Sequence, residues 1–484
     1  MSICAKGWLR AHTWNVLLLA AIAGAGWPVA GRAETLNEAL ASAYKVNPRL
    51  DAARATLRAT DEEVPRAISG YRPVITGEAD TTFRHSTTQP SIAATNGDSN
   101  PRGYQVQLVQ PLFRGFRVVN TVAEAEATVR AGRETLRSVE QSVLLEAVTA
   151  YMDVVRDQAI VRLRENNVTV LTRDLRATQD RFNVGEVTRT DVAQAQARRA
   201  AAVSALDLAK SNLQTSRATY ERVIGHPPTN LVEPRPTPLA PKNLADGSEI
   251  SARENPAVVA ALYREQGARH AIGRIRGERL PSAQLEAGYQ RRFDDNVGIE
   301  SQEIATVTGR LTVPFYTGGE VEARIRQAKH THVSRLQEIE QARTEVLAQV
   351  VAAWSQLIAA RAQLESDQAS VDANRIALAG VREEERVGQR TLLDVLNAEQ
   401  ELLNSEVNLV TTKRNLVVAS YNVLSTIGRL NSQELGVASL VYDPEAHYLE
   451  VRRKWHDVNI THSDGRRETL SAPPAPRNGH KPAK

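Results

Sequence analysis

The chain has 484 residues, a formal net charge of +4, 42% hydrophobic residues and one cysteine, Cys4. This length allows several domains, whereas a single cysteine excludes a disulfide framework and a thiolate metal site. After the first 33 residues no stretch approaches the ~20 consecutive apolar residues of a membrane-spanning helix.

Residues 1–33 are predicted to be a signal peptide. Lys6 and Arg10 precede a short apolar core, residues 16–25, and Gly31-Arg32-Ala33 is a small-residue cleavage site. An uncleaved anchor is the alternative, but the apolar run is shorter than a spanning helix needs. This segment carries three basic and no acidic residues, so its removal lowers the formal charge from +4 to +1. The basic composition therefore gives no case for a nucleic-acid partner.

The first half of the mature chain, residues 34–225, changes its apolar period twice. Helical spacing gives way to a period of two after Pro73, which is typical of half-buried strands, and then returns. The predicted elements are a helix interrupted at Asn47-Pro48, a β-hairpin over residues 74–110 with a polar loop at about residues 85–102, a long helix over residues 116–182 and a return helix over residues 191–224.

The second half, residues 251–428, shows the same succession of patterns. It predicts a helix interrupted at Asn255-Pro256, a β-hairpin over residues 282–313, a long helix over residues 320–386 and a return helix over residues 391–427. Three further segments are a proline-rich connector (226–250), a mixed segment (429–450) and a polar tail (451–484) that is predicted to be largely disordered.

The two halves predict an internal tandem repeat. Gly185 and Gly388 are 203 residues apart, as are Asp191 and Asp394, and the apolar seams after them agree in phase. Each long helix would extend roughly 100 Å, more than an ordinary globular domain, so it must pack lengthwise against a partner. The sequence thus predicts a mainly α protein with a small β part.

Four short strands with one apolar face pose a problem if that face meets lipid. Open sheet edges are not tolerated in a bilayer, and about eight strands are the minimum for a closed barrel. Three chains that pool their strands would form a twelve-stranded barrel with a polar lumen; a soluble sheet packed on helices is the alternative. Aromatic residues flank the strands as two bands would: Tyr71, Phe113, Phe116, Phe315 and Tyr316 near the helices, and Phe83, Tyr104, Tyr289 and Phe293 near the loops.

These features resemble the TolC family of outer-membrane efflux ducts. The resemblance covers about residues 34–430 and rests on the duplication, the proline-flanked hairpins and the motif VGQRTLLDVLNAEQELLNSE, residues 387–406. It implies a trimer whose twelve-stranded outer-membrane β-barrel, four strands per chain, continues into a long periplasmic α-helical barrel. Residues 226–250 and 429–450 would belong to an equatorial belt around that barrel.

The two turns between long and return helices are candidate binding sites. Gly185 and Gly388 permit the left-handed backbone of a tight turn, and the turn alone would account for both glycines. The resemblance implies in addition that the turns form the periplasmic tip, where Val184-Gly185 and Val387-Gly388 receive a periplasmic adaptor.

The residues after each turn are candidates for a pore constriction. Asp191 and Asp394 can act as capping or first-turn acids, whereas the resemblance implies that three copies of Asp394 form an acidic ring. It also implies that Arg390 bonds across to Thr190 or Asp191 and holds the pore shut. Asn397 stands where the family often has a second acid, and Glu385 stands where a family tyrosine forms another latch.

The function implied by the resemblance is an exit duct of a tripartite efflux or type I protein secretion system. Its partners would be two further copies of the chain, a periplasmic adaptor (membrane fusion protein), an inner-membrane ABC or RND pump, and outer-membrane lipid. A periplasmic or surface coiled-coil interaction protein without a pore is the alternative. No enzymatic, cofactor or metal motif occurs in the sequence, so neither catalysis nor a cofactor is expected.

Overall fold

The computed structural model describes residues 33–88, 95–296, 299–436, 442–462 and 466–468. Its helices are α1 (Leu36–Val46), α2 (Pro48–Asp61), α3 (Glu63–Ile68), α4 (Arg117–Asn183), α5 (Arg189–Ile224), α6 (Leu244–Glu254), α7 (Pro256–Arg276), α8 (Glu320–Arg386), α9 (Leu392–Thr426) and α10 (Ala446–Val451). Its strands are β1 (Val74–Thr81), β2 (Arg84–Thr88), β3 (Thr95–Ser99), β4 (Arg102–Arg114), β5 (Ser282–Asn296), β6 (Ile299–Thr312), β7 (Ile460–Thr461) and β8 (Arg467–Glu468). The predicted signal peptide lies outside the described residues except for Ala33.

Both predicted asparagine-proline interruptions occur, and each asparagine caps the following helix. Asn47 accepts a hydrogen bond from the Arg49 amide at 3.0 Å, and its side-chain amide donates to the Val223 carbonyl at 3.0 Å. Asn255 likewise accepts from the Ala257 amide at 2.9 Å and donates to the Thr426 carbonyl at 2.8 Å. Each break thus ties a helix start to the end of a return helix.

Two 67-residue helices, α4 and α8, form the long axis of the chain. At 1.5 Å per residue each extends roughly 100 Å. α5 and α7 pack on α4, while α9 and α7 pack on α8, so shorter helices cover the long ones. The main buried cluster joins α1, α4, α5, α8 and α9 and includes Leu40, Leu144, Val148, Tyr151, Tyr220, Val346, Leu424 and Ile427.

The two hairpins join into one four-stranded antiparallel sheet with the strand order β1-β4-β5-β6. Directly opposed residues lie on the same face of a sheet, and in two central rows they match in polarity. One row across the four strands is apolar: Ile75, Leu108, Ala287 and Val307. The next row, on the other face, is polar or small: Thr76, Gln107, Gly288 and Thr306. The predicted apolar and polar faces are therefore present.

Several strand boundaries differ from the prediction. β4 continues past Pro111 to Arg114, because the pairing absorbs the proline with a register shift between Pro111 and Phe113. This bulge accommodates a residue that has no amide donor. The polar loop expected at residues 85–102 contains a further ladder between β2 and β3, although residues 89–94 lie outside the described part.

Some helix boundaries also differ, because capping residues lie outside the apolar pattern. α5 begins at Arg189 rather than at residue 191, since Thr188 is its N-cap. α6 begins at Leu244, where Asn243 accepts from the Asp246 amide at 2.7 Å, so the connector ends at residue 243 rather than 250.

The tail predicted to be largely disordered from residue 451 has defined contacts at its start. Arg452 reaches Glu126 at 2.9 Å, and β7 pairs with β8. Residues 469–484 lie outside the described residues, so disorder there stays a prediction. No helix in the described ranges combines the length and apolarity needed to span a membrane.

Two glycines fix the junction between sheet and helices. A Cβ on Gly277 would lie 2.2 Å from the Gly115 carbonyl oxygen, and a Cβ on Gly115 would lie 2.3 Å from the Gly277 carbonyl oxygen. Gly115 also has a φ of +59°. Neither backbone atom can move away as a flexible side chain could, so both positions exclude a larger residue.

We predict that Gly277→Ala lowers the free energy of unfolding by about 1–3 kcal/mol, the usual cost of a steric clash. Gly380→Ala in α8 is the matched control, because a Cβ there meets nothing within 4 Å. Removal of a helix-interior glycine should stabilise by ~0.5–1 kcal/mol. Thermal unfolding of the purified variants measures both changes; equal midpoints for the two would contradict the close packing of Gly277.

Candidate functional site at the helical turns

The first turn joins α4 to α5 through a left-handed glycine. Gly185 has a φ of +81°, its amide donates to the Phe182 carbonyl at 3.0 Å, and the Glu186 amide donates to the Arg181 carbonyl at 2.9 Å. These hydrogen bonds end the helix as a Schellman-type cap does. The side chain of Val184 is 78% exposed beside the glycine.

The second turn, between α8 and α9, has the same geometry. Gly388 has a φ of +78°, its amide donates to the Glu385 carbonyl at 2.9 Å, and the Gln389 amide donates to the Glu384 carbonyl at 2.8 Å. Val387 is 68% exposed. A Cβ on either turn glycine would meet nothing within 4 Å, so the backbone angle and not space requires glycine.

Both aspartates act in capping boxes at the start of the return helices. The Asp191 amide donates to the Thr188 hydroxyl at 3.3 Å, and the Asp191 carboxylate accepts from the Thr188 amide at 2.9 Å. Asp394 and Thr391 repeat this arrangement at 3.3 and 3.0 Å. Asp191 and Asp394 are therefore first-turn acids, as one of the two predictions states, and the N-caps are Thr188 and Thr391. Hydrogen bonds from Thr391, with a contribution from Arg390, hold the pKa of Asp394 below its usual value.

Two side-chain contacts join the turn regions to each other. The Arg181 guanidinium, at the end of α4, donates to the Glu385 carboxylate at 2.7 Å and also lies 3.0 Å from Glu186. One turn further up the return helices, Arg198 donates to the Asn397 side-chain oxygen at 2.7 Å. These contacts bridge the helical hairpin α4–α5 and the helical hairpin α8–α9.

Arg181 and Arg198 are not among the residues predicted from the sequence. A usable signal is present, because Glu385 stands where the family has a tyrosine. Arg181, four residues before Gly185, is the cation that stands closest to the corresponding position of the other repeat. Charge complementarity between matching positions of the two halves could have found the pair.

Arg390 does not make the predicted contact within the chain. It donates to Glu384 of its own turn at 2.9 Å instead of bonding to Thr190 or Asp191. Glu384 lies near the end of α8, beside the turn that contains Arg390. The carboxylate of Asp191 instead accepts hydrogen bonds within its own capping box. Thr190 is exposed in the first turn of α5.

A buried charged cluster lies above these contacts, where α4, α8 and α9 meet. Arg382 donates to Glu399 at 2.5 Å, and the side chain of Glu399 is only 6% exposed. Asp174, on α4, is close enough to Arg382 and Glu399 for both charges to influence it. One carboxylate oxygen of Asp174 and one of Glu399 are buried without a hydrogen-bond partner. Burial, reinforced by the Glu399 charge and opposed by Arg382, raises the pKa of Asp174 to about 6.

No metal site accompanies these carboxylates. Within the ranges that the structure describes, no group of three or more histidine, cysteine, aspartate or glutamate residues is arranged to hold a metal ion. The arrangement comprises two tight turns, each with an exposed valine, and polar contacts between the two helical hairpins.

Comparison with known proteins identifies the family. The model of the family described as "Outer membrane efflux protein" matches residues 39–226 and 249–429. The outer membrane efflux protein BepC of Brucella suis is 37% identical over 455 residues, covering 93% of this chain and 98% of BepC. TolC of Vibrio cholerae is 25% identical, with 83% and 92% covered. The alkaline protease secretion protein AprF of Pseudomonas aeruginosa is 26% identical, with 61% and 63% covered.

The solved structures show the same fold. The CmeC outer membrane channel of Campylobacter jejuni superposes with a TM-score of 0.74 at 18% identity, covering 86% of this chain and 89% of CmeC. The resemblance inferred from the motif at residues 387–406 is thus confirmed. The chain belongs to the outer membrane efflux protein family, whose members are channel and transport proteins of the outer membrane that extend into the periplasm.

Proposed function

We propose that three copies of this chain form a continuous duct that passes substrates from the periplasm to the exterior. The observation that carries this proposal is the sheet: its apolar and polar rows are in register across four strands. In the described residues, β1 and β6 each have a neighbour on one side only. A bilayer does not tolerate such edges, so pairing between copies, giving twelve strands, satisfies them.

The polar face of this sheet would line the lumen of the barrel. Arg310 donates to both carboxylate oxygens of Glu286, at 2.7 and 3.0 Å, on the polar side. A paired charge of this kind suits a water-filled pore, while the opposite apolar face suits lipid. The aromatic band near the helices would mark the periplasmic boundary of the bilayer.

The helices would continue the barrel into the periplasm as an α-helical duct. The equal length of α4 and α8 and the matching geometry of their two turns support an internal tandem repeat. Six hairpins from three copies would then end in one tip. The predicted equatorial belt would comprise the connector up to residue 243, α6 and the segment after residue 429.

At the tip we assign adaptor docking to Val184-Gly185 and Val387-Gly388. The two exposed valines stand beside glycines that have open space around them, so a partner helix could approach the backbone closely there. The adaptor would in turn connect the duct with an inner-membrane pump of the ABC or RND class. The similarity to BepC favours efflux, and the weaker similarity to AprF keeps type I protein secretion as the second candidate.

Closure of the tip would depend on contacts between the two hairpins. Arg181–Glu385 and Arg198–Asn397 are the bridges within one chain, and Thr190, Asp191, Arg390, Asp394 and Asn397 line the same region. Each exposed pair is worth ~1 kcal/mol or less, which suits a latch that a docked partner releases. We also propose that three Asp394 side chains, one from each copy, form an acidic ring at the tip.

We predict that the wild-type trimer forms small-conductance channels in planar bilayers and that Arg181→Ala raises the open-to-closed ratio by up to about five-fold, the effect of ~1 kcal/mol. Arg390→Ala should raise single-channel conductance only slightly, because within the chain Arg390 pairs with Glu384 of its own turn. Arg386→Ala is the matched control, since Arg386 forms only an exposed pair with Glu383.

Unchanged conductance in Arg390→Ala would remove that residue from the gate. An unchanged open-to-closed ratio in Arg181→Ala would remove the Arg181–Glu385 bridge from the gate. Absence of any channel in the wild type, with the protein soluble without detergent, would favour the alternative of a coiled-coil interaction protein.

The cluster around Asp174 predicts a pH dependence of stability. An acid with a higher pKa in the folded than in the unfolded state binds its proton more tightly when folded. Stability should therefore fall as pH rises between the ordinary value of 3.8 and about 6, and stay level above. Asp174→Asn should remove this component of the fall in the thermal unfolding midpoint. The exposed Asp180→Asn is the control, and an identical pH profile for both variants would contradict the role of Asp174.

A further inference from the structure

The segment from Glu445 onwards, which includes α10, runs along α4 towards the sheet. Glu445 lies 2.5 Å from Arg133, and seven residues later Arg452 lies 2.9 Å from Glu126. The partners on α4 thus step back towards the start of that helix at residue 117, by about 10 Å at 1.5 Å per residue. His447 adds a 2.9 Å contact to the fully buried carboxylate of Asp61. These three contacts fix the direction of the segment.

Trp455 lies where this segment meets the base of the sheet. The Arg72 guanidinium lies 4.8 Å from the centre of the Trp455 ring, two residues before β1 begins. Tyr71, Gln110 and Arg453 help to line the same cleft, whose volume is about 630 Å³. The indole is nevertheless 65% exposed, so the cleft does not cover it.

The exposed side chains of this region combine apolar groups with arginines that form no ion pair among the described residues. Leu449, Val458 and Ile460 are exposed although they are aliphatic. Arg72 and Arg453 have no carboxylate partner in the part of the chain that the structure describes, in contrast to Lys454, which reaches Glu450 at 3.0 Å. Aliphatic and indole groups beside guanidinium groups without a carboxylate partner are the composition of a surface that lies at a membrane interface.

The position of Trp455 relative to the sheet indicates which partner covers this surface. Phe315 and Tyr316, which are 95% and 85% exposed, follow β6 at the same end of the sheet. In the proposed barrel this end meets the periplasmic leaflet of the outer membrane. Trp455 therefore continues an aromatic band whose neighbours would already be in contact with headgroups. A soluble partner would not require Trp455 to lie at the same level as the aromatic band.

We propose that residues 449–460 form a lipid-contacting collar, in which Trp455 inserts at the periplasmic leaflet and Arg72 and Arg453 bind phospholipid phosphates. The proposal rests on the membrane-inserted barrel. Guanidinium groups bind phosphate through paired hydrogen bonds, and indole favours the boundary between acyl chains and headgroups. The collar would hold the helical duct at a fixed height and tilt below the bilayer.

Tryptophan fluorescence tests this directly, because a chain without residues 1–33 contains only Trp354 and Trp455. Trp354 lies on α8, 34 residues after its start at residue 320, hence roughly 50 Å from the sheet. The mature trimer is placed in nanodiscs of phosphatidylglycerol and phosphatidylcholine, with or without brominated acyl chains. In Trp354→Phe, which keeps Trp455, bromine should quench much of the emission. Trp455→Phe, which keeps Trp354, should show no loss.

A third variant separates this proposal from the barrel on which it depends. Tyr316→Trp is made in a background that carries both Trp354→Phe and Trp455→Phe, so that its single indole reports the end of the sheet. Quenching there without quenching of Trp455 would overturn the collar and leave the barrel intact. Absence of quenching both at Trp455 and at the indole introduced by Tyr316→Trp would overturn the collar and the barrel.

The role of Arg453 in lipid binding is tested separately, in the Trp354→Phe background. Arg453→Glu should reduce the quenching of Trp455 in nanodiscs that contain phosphatidylglycerol, because it replaces attraction to phosphate by repulsion. Arg386→Glu, at the opposite end of α8, should leave the quenching unchanged. Equal quenching in the two variants would overturn the role of Arg453 in lipid binding.

Discussion

Hydrogen bonding at the edges of a small sheet is the constraint on which the duct depends. β1 and β6 leave one side of each strand without a partner in the described chain, while the sheet presents an apolar face in register. In lipid, a missing backbone hydrogen bond costs several kcal/mol per group, so the edges have to be paired. In the proposed trimer, pairing between identical chains satisfies both edges, and it explains why each chain contributes four strands to the sheet.

In the same proposed assembly, the long helices form the shaft of the duct. A helix of 67 residues is stable only if its apolar stripe is covered along its length, and here α5, α7 and α9 provide much of that cover. The shaft ends in two glycine turns, near which partly exposed polar pairs accompany a small apolar cluster of Leu171, Ala202 and Leu396. We propose that opening is confined to this tip, because exposed polar pairs contribute little to stability.

Much of this fold could be predicted from the sequence, because local rules decide it. Asn47-Pro48 and the turn glycines fix breaks through backbone geometry, and the period of two identifies the strands. The contact of Arg181 with Glu385 could not be predicted in the same way, since it depends on how two distant helices are rotated. The start of α5 was missed for a simpler reason: Thr188 and Asp191 form a capping box that carries no apolar signal.

The mass of the mature protein in detergent, measured by light scattering after extraction from outer membranes, decides whether the strands of several chains are pooled. We expect a protein mass of three chains, because only pooled strands satisfy the edges of the sheet. A monomer that remains soluble without detergent would contradict the barrel, the pore and the lipid collar together.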